Sequence, residues 1–220
     1  MRVARGHPVS PDSRKIRLIM ELRRSGISDT RVCAAIERIP RERFLPENLR
    51  HQAYENVPLA IGREQTMSAP IVVGRMTQAL DVEARMKVLE VGTGSGYQAA
   101  VLSLLCRRVY TIERHRGLLE TAQETLKALQ ITNVTAKIGD GTLGWTEQAP
   151  FERIIVTAAA ADVPPILAEQ LAAGGVMVVP VDHGRGESRL LRVRRGEDGL
   201  ETEDLGEIRF VPLIAARGSD

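Results

Sequence analysis

The chain changes hydrophobic rhythm near residue 80. Up to there apolar residues recur at helical spacing. Ile16, Ile19 and Met20 share one face of a helix predicted from about Asp12 to Arg24, with Gly26 just past its end. Val32, Ala35, Ile36 and Ile39 mark a second helix, which Pro40 stops. Residues 40–69 show no period and carry turn signals at Pro46, Pro58 and Gly62. So long an irregular stretch inside a compact domain points to a functional role. A further helix is predicted from near Pro70 to about Leu80.

From residue 86 short apolar runs alternate with helical ones. Strands are predicted at Met86 to Val91, Val109 to Ile112, Val134 to Ile138, Arg153 to Thr157 and Val176 to Val181. Between them lie an apolar helix from Tyr97 to Cys106 and one with Leu118, Leu119, Ala122, Leu126 and Leu129 on a single face. Another starts at Asp162, Pro164 and Pro165 and is closed by Gly174 and Gly175. Such alternation implies a parallel sheet covered on both faces. The tail breaks the rhythm: Arg189 to Arg195 and Glu207 to Val211 read as a β-hairpin around Gly196 to Gly199. The expected fold is α/β, a doubly wound, mostly parallel sheet with N-terminal helices and a C-terminal β-hairpin. It reads as a single domain, with residues 1–80 as helical and lid segment, 81–182 as core and 183–220 as β extension.

Composition alters this picture little. Of 220 residues 43% are hydrophobic and 26% charged, ordinary globular values, while aromatics at 3% leave the core to Leu, Ile, Val and Ala. Cys33 and Cys106 lie in apolar helical contexts without partner spacing and read as buried thiols in a reducing compartment. No apolar run approaches the roughly eighteen residues of a membrane span. A net charge of +2 points to neither nucleic acid nor membrane as partner. The charge is uneven, however: Arg2, Arg5, Arg14, Lys15, Arg17, Arg23 and Arg24 face only Asp12 and Glu21 within the first 24 residues. Without an apolar core this start is no secretory peptide. A transit sequence or an RNA-binding arm would share its composition, but a solvated helix face is the expectation.

The first candidate chemistry is the loop Glu90-Val91-Gly92-Thr93-Gly94-Ser95-Gly96, between the first core strand and its helix. Ligands of open parallel sheets sit at the strands' carboxyl ends, where glycines allow close approach and helix N-termini offer free amides. The spacing is Gly-x-Gly-x-Gly, not the Gly-x-Gly-x-x-Gly that suits a pyrophosphate. Glu90 at the strand end would repel phosphate but hold an ammonium, directly or through water. Glu113 lies 21 residues after Gly92, within reach of both ribose hydroxyls. Asp140, in Gly139-Asp140-Gly141, is placed to accept from an adenine amino group, or else merely caps a helix. Together they outline a nucleoside bearing an amino acid, S-adenosyl-L-methionine, in the Rossmann-like fold of class I methyltransferases. A nicotinamide dinucleotide is the rival reading of the loop alone.

The methyl acceptor is a separate question. Amino-methyltransferases of nucleic acids need a polar, proline-containing tetrad after the fourth strand, where this chain has Val156-Thr157-Ala158-Ala159. His7, His51, His115 and His183 are isolated, and no residue stands out as a base or nucleophile. That suits an acceptor already anionic at neutral pH, such as a carboxylate.

Several segments resemble the protein-L-isoaspartate (D-aspartate) O-methyltransferase family. They are Pro40 to Phe44, His51 to Asn56, Pro58 to Gly62, Gln65-Thr66-Met67-Ser68-Ala69-Pro70, Gly139 to Gly141, Ala149 to Phe151, Ile155 to Ala159 and Phe210-Val211-Pro212-Leu213. The likeness spans about residues 12 to 214, and its most specific parts are the Gln-Thr-x-Ser segment and the final Phe-Val-Pro-Leu. It implies a protein-repair carboxyl methyltransferase that modifies L-isoaspartyl, and by the family's name D-aspartyl, residues of damaged proteins; a monomer in the cytoplasm is the accompanying expectation. By resemblance Ser68 is the active-site residue, and Thr66 serves both cofactor and substrate. Gly92, Thr93, Gly94, Gly96 and Gly141 join Glu90, Glu113 and Asp140 around the cofactor. Val156, Thr157, Ala158 and Val211 contact a peptide bound as an extended strand. Ala69 stands where many bacterial members have glutamine, and Ile71 replaces a common aromatic. Two alternatives stay open: a small-molecule or RNA methyltransferase of the same architecture, and a module that binds without turnover. For Ser68 the plain alternative is a cap on the helix that begins near Pro70.

Overall fold

The computed structural model describes residues 11–184 and 187–215. Arg2, Arg5 and His7 lie outside the described residues. Helix α1 (Pro11–Arg24) and helix α2 (Thr30–Arg38) open the chain. Helix α1 buries Leu18 and Leu22, an i, i+4 pair, and leaves Ile16 and Met20 at 56% and 50% exposure. The face expected from Ile16, Ile19 and Met20 is therefore offset, with only Ile19 packed at the core's edge. Helix α2 buries Val32, Ala35, Ile36 and Ile39 as its spacing predicts.

The stretch read as irregular is built of small elements. Two 3-10 turns, Arg41–Phe44 and Glu47–Gln52, lead to the hairpin of β1 (Leu59–Gly62) and β2 (Gln65–Met67). Arg63 and Glu64 form its tip with φ of 54° and 59°, the doubly left-handed turn that matches strand twist. Helix α3 (Pro70–Leu80) follows directly.

The core then runs β3 (Lys87–Val91), α4 (Tyr97–Ser103), β4 (Arg108–Glu113), α5 (Arg116–Ala128), β5 (Val134–Ile138), β6 (Phe151–Val156), α6 (Pro165–Glu169) and β7 (Leu171–Asp182), closing with β8 (Ser188–Arg195) and β9 (Leu200–Ile208). The sheet order is β5-β4-β3-β6-β7-β8-β9, parallel through β7 and antiparallel beyond. The chain moves outward from β3 to β5, then returns to place β6 on the other side of β3. That reversal puts a crevice at the carboxyl end of β3.

Two boundaries differ from expectation. Helix α6 ends at Glu169, and Gly174 and Gly175 lie inside β7, where the pairing with β6 shifts register between Phe151 and Arg153. They form a strand irregularity instead of closing a helix. The last strand is Leu200–Ile208, not Glu207 to Val211. Its polar run Glu201-Thr202-Glu203-Asp204 is exposed on an edge, so the side-chain pattern conceals a backbone that pairs with β8 across that run. Beyond it the chain leaves the sheet. Ala159 N–H donates to Val211 O at 2.8 Å and Leu213 N–H to Ala159 O at 2.7 Å, holding 211–213 beside the end of β6.

Candidate active site

A cavity of about 330 Å³ opens at the crevice. Its floor is Gly92, Thr93, Gly94 and Ser95; Glu113, Arg114 and His115 at the end of β4 form one side. Arg63 to Ser68 form a second wall, Thr157, Ala158 and Val211 to Ile214 a third, and Val72, Val73 and Met76 of α3 complete it. The size is that of a small-molecule site.

Local chemistry shapes the floor. Gly92 has φ of 98°, and a Cβ there would stand 2.4 Å from Thr157 Oγ1. That hydroxyl is itself held, 2.7 Å from Gly92 O and 3.0 Å from Val91 O. Glu113 Oε2 accepts from Gly94 N–H at 2.8 Å and Oε1 from His115 N–H at 2.9 Å. The carboxylate thus ties the glycine loop to the start of α5, and each oxygen keeps a second lone pair for a ligand hydroxyl.

Ser68 joins β2 to α3. Its carbonyl accepts from Arg41 Nη2 at 2.8 Å. The capping position of α3 belongs to Ala69, and the free amide of Ile71 is taken by Asn56 Oδ1 at 3.0 Å. Ser68 is therefore not the cap, and its hydroxyl makes no hydrogen bond among the described residues.

The chain's likeness to known proteins agrees with this architecture. The family model described as protein-L-isoaspartate(D-aspartate) O-methyltransferase matches residues 13–218. The chain belongs to that family. A protein-L-isoaspartate O-methyltransferase of Rhodospirillum centenum is 58% identical over 207 residues, 94% of each chain. That of Rhodospirillum rubrum is 60% identical over 208 residues, 94% of this chain and 95% of its own. A solved protein-L-isoaspartate O-methyltransferase superposes with a TM-score of 0.81 at 29% identity, covering 90% of this chain and 65% of its own. A Plasmodium falciparum structure in complex with S-adenosyl-L-homocysteine gives 0.78 at 24% identity, covering 90% and 97%, a likeness of fold.

Most of the residues singled out in the sequence as a family site meet at the cavity: Thr66, Ser68, Gly92, Thr93, Gly94, Glu113, Gly141, Thr157, Ala158 and Val211 all line it. Four do not. Val156 is fully buried in the core beneath β6, because the alternation of a strand turns its side chain away from the opening. Gly96 serves packing: at φ of 86° its missing Cβ lets Ala122 of α5 approach within 3.1 Å. Asp140 caps the short turn Gly141–Leu143, accepting from Thr142 N–H at 2.8 Å and Thr142 Oγ1 at 2.7 Å.

Glu90 lies under the floor, 0% exposed. Its Oε2 accepts from Thr111 Oγ1 at 2.5 Å, and Thr111 Oγ1 is 2.6 Å from that of Thr93. Oε1 has no hydrogen-bond partner among the described residues. Burial pushes this carboxyl up to about 8, against the hydrogen bond from Thr111 and with some repulsion from Glu113. Burial therefore favours the neutral form of this acid, which is not among the residues lining the cavity.

Arg114 and His115 were missed, although they follow Glu113 directly at a strand's carboxyl end, where a site is expected. Arg63 and Glu64 were missed because neither is a residue type that announces a left-handed turn. Tyr97, Val72 and Met76 carry ordinary core chemistry and gave no signal.

Proposed function

We infer that this chain is a protein-repair carboxyl methyltransferase, acting on the free carboxylate of L-isoaspartyl residues in damaged proteins. The observation that carries this reading, beside family membership, is the unengaged Ser68 hydroxyl in a cavity whose opposite floor is the glycine loop and Glu113.

S-adenosyl-L-methionine is the cofactor, and it supplies a methyl group on a sulfonium, poised for displacement. The residues present fit it: free amides of the glycine loop, spare lone pairs on Glu113 and an opening beside Gly141 and Thr66 are the groups proposed to hold it. Ser68 donates its hydroxyl proton to one oxygen of the acceptor carboxylate and so orients the other toward the methyl. Thr157, Ala158 and Val211 flank the peptide, with Thr157's hydroxyl committed to the loop beneath. When bound, the cofactor would supply a methyl group that the acceptor carboxylate can take up as a methyl ester, with the demethylated thioether as the other product. No base is needed, because the acceptor is anionic at neutral pH. Opposite charges vanish in this step, so alignment and exclusion of water by the 63–68 wall carry the rate.

No helix among the described residues is long and apolar enough to cross a membrane, and Cys33 and Cys106 are buried free thiols. A cytoplasmic monomer belongs to the same proposal. The test is incubation with methyl-labelled cofactor and paired peptides, one isoaspartyl and one aspartyl. Base-labile label on the isoaspartyl peptide alone is expected. Equal labelling of both, or of neither, overturns the reading.

A further inference from the structure

Arg41 is 0% exposed, yet among the described residues the one well-formed hydrogen bond of its guanidinium is to the Ser68 carbonyl, with the Tyr97 side chain as its neutral neighbour. Its Nε and Nη1 are buried without partners. No ion pair includes it among the described residues. Glu42, the adjacent acid in sequence, is engaged by the Tyr54 hydroxyl. The Arg41 cation instead rests 4.8 Å from the ring centroid of Tyr97, which lines the cavity and whose own hydroxyl is buried and unpaired.

A buried cation without a counter-ion is strongly unfavourable, and guanidinium cannot relieve the cost by losing its proton. Packing alone does not call for a charge here, since a flexible apolar side chain would fill the same volume. The missing anion has an obvious source in the acceptor carboxylate. We propose that Arg41 is a positioning residue for the acceptor: through the Ser68 carbonyl it fixes the wall that meets the substrate, and its uncompensated charge selects an anionic group beside Ser68. This rests on the reading of Ser68 as the carboxylate's partner.

The test compares the full-length enzyme with Arg41→Met and Arg41→Lys. Each is assayed with an isoaspartyl peptide as substrate, and with two competing ligands, the isoaspartyl peptide and its carboxamide analogue. The unaltered enzyme should prefer the carboxylate ligand by about tenfold or more, the effect of one charge roughly 10 Å off at an effective dielectric of about 20. Arg41→Met should erase that preference and raise the peptide KM by the same factor while the cofactor Kd stays unchanged. Arg41→Lys should keep much of the preference, because the charge remains. A methionine variant that still prefers the carboxylate, or that loses cofactor and peptide affinity together, overturns the inference. If the methionine variant does not fold, loss of the preference in Arg41→Lys overturns it and retention upholds it. Failure of the unaltered enzyme to methylate isoaspartyl peptides sinks the repair reading as a whole. Normal methylation with an unchanged preference in the variants sinks the Arg41 inference alone.

Discussion

Replacing Glu90 by glutamine should change how stability depends on pH. The carboxyl is fully buried, with Oε1 unpaired, and is pushed up to about 8 from an ordinary 4.5. A native state that keeps a proton which the unfolded chain releases loses stability as pH rises between those two values. Below about 4.5 both states are protonated and nothing is lost; above about 8 the full penalty is present. Taken at about 1.4 kcal/mol per pH unit, that gap sets a ceiling of about 5 kcal/mol, and relaxation of the site brings the expected figure to about 2–4 kcal/mol. Glutamine has the same shape, accepts from Thr111 and does not titrate. The assay is urea unfolding of both proteins without cofactor, at about pH 5 and about pH 8. Groups common to both cancel in the comparison, leaving Glu90. The two should be similar near the lower pH, with the variant the more stable by about 2–4 kcal/mol near the higher one. Curves that stay parallel, separated by a constant offset, would refute a raised carboxyl.

Three other substitutions bear on the site. Ser68→Ala should lower kcat by about tenfold or more, the effect of one hydrogen bond to a charged group, with melting temperature and cofactor Kd preserved; a loss of activity that merely follows a loss of stability would return Ser68 to a structural role. Glu113→Gln should weaken cofactor binding by about tenfold, read by titration calorimetry, since a charge-assisted acceptor is replaced by a neutral one; unchanged affinity removes it from the ribose. Gly92→Ala should cost about 2–4 kcal/mol in denaturant unfolding, combining left-handed strain with displacement of the Thr157 hydroxyl. Pairing it with Thr157→Ala should cost less than the two single losses together, and strict additivity would show that the hydroxyl is not what the new methyl meets.

The alternation of apolar runs was enough to read the parallel core, because buried strands and amphipathic helices write different periods. Motif and spacing at the strand ends marked the glycine loop and Glu113, whereas Ser68 came only from the family resemblance. Periodicity failed where backbone geometry is not mirrored in side-chain pattern. Leu200–Ile208 is a strand with a polar edge face, and Arg63 and Glu64 turn a hairpin without glycine or asparagine. It also misjudged direction. Val156 lies next to a lining residue in sequence yet points into the core, and Glu90 lies one layer below the floor. Arg41 falls within the Pro40 to Phe44 segment of the resemblance, but nothing in that segment gives it a role. An arginine between Pro40 and Glu42 reads as a solvated surface charge, and only the packing reveals that it is enclosed without an acid.

The two halves of the cavity are built in different ways, and this bears on how the acceptor is chosen. The half proposed for the cofactor is local: the loop after β3 and the carboxylate at the end of β4 hydrogen-bond each other through Gly94 and Glu113. The acceptor half joins distant parts of the chain. Its hairpin wall is held from behind by Arg41 through Ser68. Its other wall depends on the antiparallel extension, where a register shift falls between Arg189 and Leu191 opposite Gly206. Asp204 accepts from Gly206 N–H and from Arg189, and Arg75 of α3 reaches the Leu205 and Glu207 carbonyls, so the helix behind the hairpin wall also anchors this turn. From there the chain returns to lay 211–213 against Ala159. On the proposed reading, changes at Ser68 or in residues 211–214 should alter what is methylated more than how the methyl donor is held, because those walls, and not the glycine loop, meet the acceptor.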